Sequence, residues 1–207
     1  MPAPGYNDNV FINCPFDDHF RRIFDAIVFT IYDCGFVARC SLEEDATGEA
    51  RLTKIMDIVS ECKYGLHDIS RTDSDPQTNL PRFNMPFELG LFVGARKFGN
   101  KDQKSKKFLI LDTERYRFQQ FISDLSGFDI KEHRNDPMIA SAAVRNWLVT
   151  SSRRKLIPGS ANIWNHYQEF LRRLPEYCRV HRLDPATLVF IEYSYAVTDI
   201  LEEIESG

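Results

Sequence analysis

The chain has 207 residues, 43% of them apolar and 27% charged, with 30 acidic side chains against 26 basic ones and a formal net charge of −4. This length and apolar content suit one α/β domain with an appendage and exclude intrinsic disorder for the bulk of the chain. The small acidic surplus does not suit a non-specific binder of the phosphate backbone, so nucleic acid is not the expected partner.

Met1-Pro2-Ala3-Pro4-Gly5-Tyr6 has neither the basic start nor the apolar run of a signal peptide, and no stretch has the length of a membrane span. A soluble, cytoplasmic protein with no membrane partner is expected. The five cysteines, Cys14, Cys34, Cys40, Cys62 and Cys178, show no C-x-x-C spacing and read as reduced, buried small hydrophobes. The five histidines form no ligand spacing either, so no metal site is expected.

In chain order, Val10–Cys14 is a short apolar run stopped by Pro15, the mark of a buried strand. Asp17 or Asp18 is placed to cap a following helix whose apolar positions Phe20, Ile23, Phe24, Ile27, Val28 and Ile31 recur at helical spacing, with Gly35 as a left-handed end. A second strand is predicted at Phe36–Leu42, then the polar loop Glu43–Glu49, a helix at Arg51–Cys62 and a third strand at Tyr64–Ile69. A polar loop with Asp73, Asp75, Pro76, Asn79 and Pro81 leads to Asn84–Ala95, which opens like a helix with a cap residue and an early proline. That helix is apolar on nearly every side and reads as buried, with Gly90 and Gly94 allowing close approach to the sheet. A solvated basic loop, Lys101–Lys106, precedes a fourth strand at Lys107–Asp112.

The order βαβαβαβ predicts a parallel sheet of four or five strands with helices on both faces, in flavodoxin-like order 2-1-3-4-5. After about residue 135 only helical stripes remain, at Pro137–Thr150, Ser160–Leu174 and Asp184–Glu205. The expected organisation is therefore an α/β domain over residues 1–135 and a helical appendage over 136–207.

Sheets of this kind bind ligands at the carboxyl ends of their strands, where strand order reverses, here between the first and third strands. The residues gathered there are Asn13, Phe16 and Asp17 after the first strand, Asp68, Ser70 and Arg71 after the third, and Asn84 with Glu88 at the start of the next helix. Glu88 is the only charge between Phe83 and Ala95. It is either a helix-dipole or arginine-paired carboxylate, or a desolvated carboxylate facing the ligand crevice, able to stabilise or attack a developing cation. Asp17 and Asp68 serve equally as turn caps, and Arg39, Arg71 and Arg82 either neutralise a phosphate or pair with the acidic loops. His67 reads as a core histidine. No G-x-G-x-x-G, G-x-x-x-x-G-K-[ST] or G-x-S-x-G occurs, which removes the dinucleotide dehydrogenase, P-loop and α/β-hydrolase readings at their defining residues.

Three segments in this order, V-F-I-N-C-P-F-D, H-D-I-S-R and N-M-P-F-E-L-G-L-F-V-G-A, resemble the TIR-like superfamily of bacterial flavodoxin-like domains, which is close in fold to nucleoside 2-deoxyribosyltransferases. The resemblance spans about Val10 to Asp112. It implies cleavage at a ribosyl C1′ to nitrogen bond, with NAD as substrate, no other cofactor, and Glu88 matching the helix glutamate needed to release nicotinamide by hydrolysis or cyclisation. Bacterial members commonly serve in antiphage defence or nucleotide signalling. The other readings kept are a deoxyribosyltransferase-like N-glycosidase and a non-catalytic nucleotide-binding or scaffold module. The acidic loop Glu43–Glu49 and the appendage depart from a minimal TIR domain. The appendage also predicts assembly: Leu188, Phe190, Ile191, Tyr193, Tyr195, Val197, Ile200, Leu201 and Ile204 occupy more than one face of the last helix, so a homodimer or partner contact is expected.

Overall fold

The computed structural model describes residues 5–43, 50–72, 80 and 82–206. Its elements in chain order are β1 (Asn9–Asn13), α1 (Arg21–Asp33), β2 (Val37–Arg39), α2 (Arg51–Ser60), β3 (Tyr64–Asp68), α3 (Asn84–Phe98), α4 (Lys101–Lys104), β4 (Lys107–Asp112), β5 (Lys131–Glu132), α5 (Pro137–Ser152), α6 (Ser160–His181) and α7 (Phe190–Ser206). The sheet is parallel throughout in the order β2-β1-β3-β4-β5, the flavodoxin-like arrangement. Strands β1 and β3 lie in its middle and are buried along their whole length, which is why each reads as a continuous apolar run.

Layering follows from which side each strand residue faces. Val10, Ile12, Leu66, Leu109 and Leu111 share a core with α1, α5, α6 and α7. On the other face Phe11 packs with Ile55, Ile58, Val59 and Phe92, and Ile110 with Ile69 and Leu89. Gly65 is needed where β3 passes under α3, because a Cβ there would lie 2.7 Å from the Phe92 ring and 2.8 Å from His67 Nε2. Gly35 ends α1 with φ +75°, as its position predicts.

The appendage is continuous with this core. Helix α5 packs beside α1 on the same face of the sheet, against β4 and β5, while α1 lies between the sheet and α6 and α7 and buries almost every residue from Ile23 to Ile31. Polar ties reinforce the packing: Thr30 and Ser141 hydroxyls are 2.7 Å apart, the Tyr193 hydroxyl donates to the Asp25 carbonyl at 3.1 Å, and His166 Nδ1 lies 3.0 Å from Asp33. Helix α7 buries one stripe, Phe190, Tyr193, Val197, Ile200 and Leu201, inside its own chain, and its exposed large apolar side chains are Ile191 and Tyr195, with Val189 exposed just before it.

Several expectations are corrected. Helix α3 is half-buried: Met85, Glu88, Leu89 and Phe92 face inward, while Phe87 is 53% exposed. Gly90 and Gly94 point away from the sheet, since a Cβ on either would meet nothing within 4 Å. The Lys101–Lys106 segment contains the short helix α4 and ends on a fully buried lysine, not a solvated loop. The last helix begins at Phe190, with Asp184 and Pro185 in the preceding turn, and α6 runs on past Leu174 through Pro175 to His181. All five cysteines are free and buried. Among the described residues no helix is long and apolar enough to cross a membrane.

Candidate functional site

The switch point between β1 and β3 brings together most of the residues named for it, and the geometry sorts them by what they hold. Asn13 is buried at the end of β1. Its Nδ2 donates to the Met85 carbonyl at 2.8 Å and to His67 Nδ1 at 3.1 Å, so it ties the first turn of α3 to the sheet. Asp68, at the end of β3, has no exposed surface: its Oδ1 accepts the Ser70 backbone N–H at 2.9 Å and the Ser70 hydroxyl. Its Oδ2 lies 3.1 Å from His133 Nε2, within ion-pair distance but off the hydrogen-bonding direction. The Asn135 N–H donates to His133 Nδ1 at 3.1 Å, which leaves the ring hydrogen of a neutral His133 on Nε2, facing the carboxylate.

Asp17 accepts from the Phe20 N–H at 3.1 Å and pairs with Arg71 at 3.2 Å, linking the loop after β1 to the loop after β3 across the crevice. Phe16 is 37% exposed and stands edge-on to Phe24 at 5.4 Å. Asn84 is exposed at the start of α3, and Arg82 is exposed just before it. Arg39 is taken up by a bidentate pair with Glu43 and a contact to Glu61. The acidic stretch 44–49 and Asp73, Asp75, Pro76, Asn79 and Pro81 lie outside the described residues.

Glu88 differs from all of these. It is the fifth residue of α3, which begins at Asn84 as expected, and only 7% exposed, yet it makes no hydrogen bond or ion pair with any described residue. Burial pushes its carboxyl up to about 7, opposed only by the positive field of Arg51 at the start of α2. The Cys14 thiol, itself pushed well up by burial, feels the carboxylates of Asp68, Glu88 and Asp17, so all three converge on the end of β1. A carboxylate held at this depth with no bonding partner among the described residues carries a desolvation cost that a neutral residue would avoid, and such costs concentrate at functional sites.

Sequence reasoning missed four residues at this sheet edge. His133 follows a strand too short to carry a pattern. Arg117 donates to the Ile69 and Ser70 carbonyls, both at 2.9 Å, and grips Asp112 at 2.7 Å, so it holds the β3 and β4 loops together from a segment without periodicity. Asp112 was visible only as the last letter of a strand. Arg51 also lines a cavity of about 510 Å³ at the end of β2, walled by Arg21, Leu42 and the Phe190 end of α7. Among the described residues no group of three or more His, Cys, Asp or Glu side chains is placed to hold a metal ion. Compared with protein-family models the sequence matches no family, and compared with curated proteins it finds no match.

Proposed function

We propose that this chain is a TIR-like NAD-processing enzyme, a glycohydrolase or cyclase that breaks the nicotinamide–ribose bond, with Glu88 as its catalytic carboxylate. The observation that carries this reading is the unpaired, largely buried carboxyl of Glu88 beside the β1/β3 switch point. Glycosidic cleavage builds oxocarbenium character on the ribose, and a preorganised carboxylate with little water around it stabilises that charge or orients the ribose hydroxyls. Nicotinamide leaves a cationic substrate as a neutral molecule, so no general acid is needed. Phe16, Arg71 and Asn84 are the exposed neighbours for nucleotide contact, while Asn13, Asp17, Asp68 and Ser70 brace the loops that carry them. A role in antiphage defence or nucleotide signalling goes with this reading.

Nicotinamide release from NAD, followed in dilute solution and under crowding that promotes assembly, tests it. The wild type is expected to release nicotinamide, and Glu88→Gln to lose about a hundredfold or more of the rate. Because the active form is the ionised one, the rate should rise with pH through about 7. Intact NAD together with Glu88-dependent cleavage of deoxynucleosides assigns the deoxyribosyltransferase-like chemistry instead. A non-catalytic nucleotide-binding or scaffold role is favoured by one observation, the Asp17–Arg71 pair across the crevice, and is the result if neither substrate is cleaved. Homodimerisation rests on the surplus Val189, Ile191 and Tyr195; light scattering that finds only monomer removes it.

A further inference from the structure

The sheet ends in an edge that is only half covered. Strand β5 has two residues and pairs with β4 at Leu111 and Asp112 alone, so among the described residues β4 from Lys107 to Ile110 has a strand neighbour on one side only. In a parallel ladder alternate residues bond to opposite neighbours. The Lys107 N–H donates to Lys63 and the Leu111 carbonyl accepts from Ile69, so Lys107, Leu109 and Leu111 serve β3. The N–H and C=O of Phe108 and the N–H of Ile110 therefore point outward, where β5 does not reach.

Over this edge lies a groove of about 740 Å³ between α5, α3 and the segment leading into β5. Its walls are aromatic on both sides of the sheet, with Trp147 on one and Phe108 and Phe128, 5.2 Å apart, on the other. Two exposed cations stand at the end where β4 begins: Lys107, and Arg96, whose guanidinium sits 5.5 Å from the Phe108 ring centre. Neither forms an ion pair with a described residue. Among the described residues of the lining the one acidic side chain, Asp129, is neutralised by Lys131 at 2.6 Å.

Unpaired edge groups in line are satisfied by an added strand, and neither a helix nor a small molecule presents donors and acceptors at that spacing. We propose that the β4 edge takes an extended segment of a partner protein as an extra strand, apolar along the groove and carrying carboxylates where it passes Arg96 and Lys107. The aromatic walls supply side-chain pockets for its alternate residues, and the two cations fix its placement. The assignment is independent of the NAD reading, since the groove lies on the outer edge of β4 and not at the β1/β3 switch point.

The test uses the full chain with Trp164→Phe, so that Trp147 is the only tryptophan, titrated with a synthetic peptide of alternating Val and Thr with Glu at both ends. A saturable change in Trp147 emission is expected, with slowed amide exchange at Phe108 and Ile110. N-methylation of alternate peptide amides should abolish both, and Lys107→Glu, an exposed substitution, should weaken binding about tenfold. A Lys-ended peptide should bind less well than the Glu-ended one. Neither emission nor exchange responding at millimolar peptide would overturn the proposal, as would binding indifferent to N-methylation. A wild-type dimer dispersed by Lys107→Glu would give the edge to a second copy of the chain and likewise overturn it.

Discussion

The two ends of the sheet each bury an ionisable side chain, and they treat it in opposite ways. At the amino end Lys106, with no exposed surface, donates to the Val59 carbonyl at 2.6 Å and to the Cys62 carbonyl, closing the C-terminus of α2. Its ammonium also lies 4.4 Å from the Phe92 ring centre and 5.4 Å from that of Tyr6. At the carboxyl end Glu88 is nearly as buried and has no bonding partner among the described residues. Burial moves both pKa values toward neutrality, Lys106 down to about 8 and Glu88 up to about 7. The difference lies in what surrounds the charge: one group completes a helix end, the other has no bonding partner among the described residues.

Removing each group should have the largest effects. Lys106→Ala should lower stability by about 3 to 5 kcal/mol, because it strips a charged donor from two buried carbonyls and leaves the volume of the stem empty. Denaturant unfolding near pH 7 measures it, and a loss below about 1 kcal/mol would mean that water replaces the ammonium. Glu88→Gln should act in the opposite direction and stabilise the fold by about 2 to 3 kcal/mol at pH 8. The sign follows from linkage. The folded carboxyl titrates at about 7 and the unfolded one at its ordinary value of 4.5, so the native state binds the extra proton between those values and loses stability as pH rises through them. The gain of the variant should therefore vanish below about pH 5. For Lys106 the folded value is lowered from 10.5, so the unfolded state holds the extra proton and wild-type stability should rise as pH climbs from about 8 toward 10.5.

Glycine substitutions sharpen the same contrast on a smaller scale. Gly65→Ala, which forces a Cβ against Phe92 and His67, should cost about 1 to 3 kcal/mol. Gly94→Ala, on the open side of α3, should raise stability by about 0.5 to 1 kcal/mol through helix propensity alone. A loss at Gly94 instead would show that something in solution packs against that face of α3.

What could be read from the residues follows from which patterns are local. The four longer strands and the order 2-1-3-4-5 were legible because buried strands and crossover helices leave apolar runs of different period. Glu88 stood out because a lone charge in an apolar helix breaks its pattern. Lys106 was not legible, since in a run of lysines nothing local marks the one that turns inward; its partners, Val59 in α2 and Cys62 just after it, lie more than forty residues earlier. The outward face of α3 was misread because apolar content is not burial: Phe87 and Phe98 are exposed although hydrophobic. Strand β5, Lys131-Glu132, has neither length nor apolar residues, and only its neighbour β4 defines it.

The position of α1 has a consequence for how the chain matures. This helix is made long before α6, but the side carrying Phe29, which meets Tyr167 and Phe170 of α6 at 5.2 Å each, is not clothed until α6 exists. These contacts join residues more than a hundred positions apart, and such long closures slow folding while apolar surface waits uncovered. A nascent chain that has completed β5 therefore already has its sheet and still exposes a sticky helix. Chains cut after β5 should yield aggregates rather than a working α/β domain, and the docking of α6 on α1, more than formation of the sheet, sets the moment at which the protein becomes safe from misassociation.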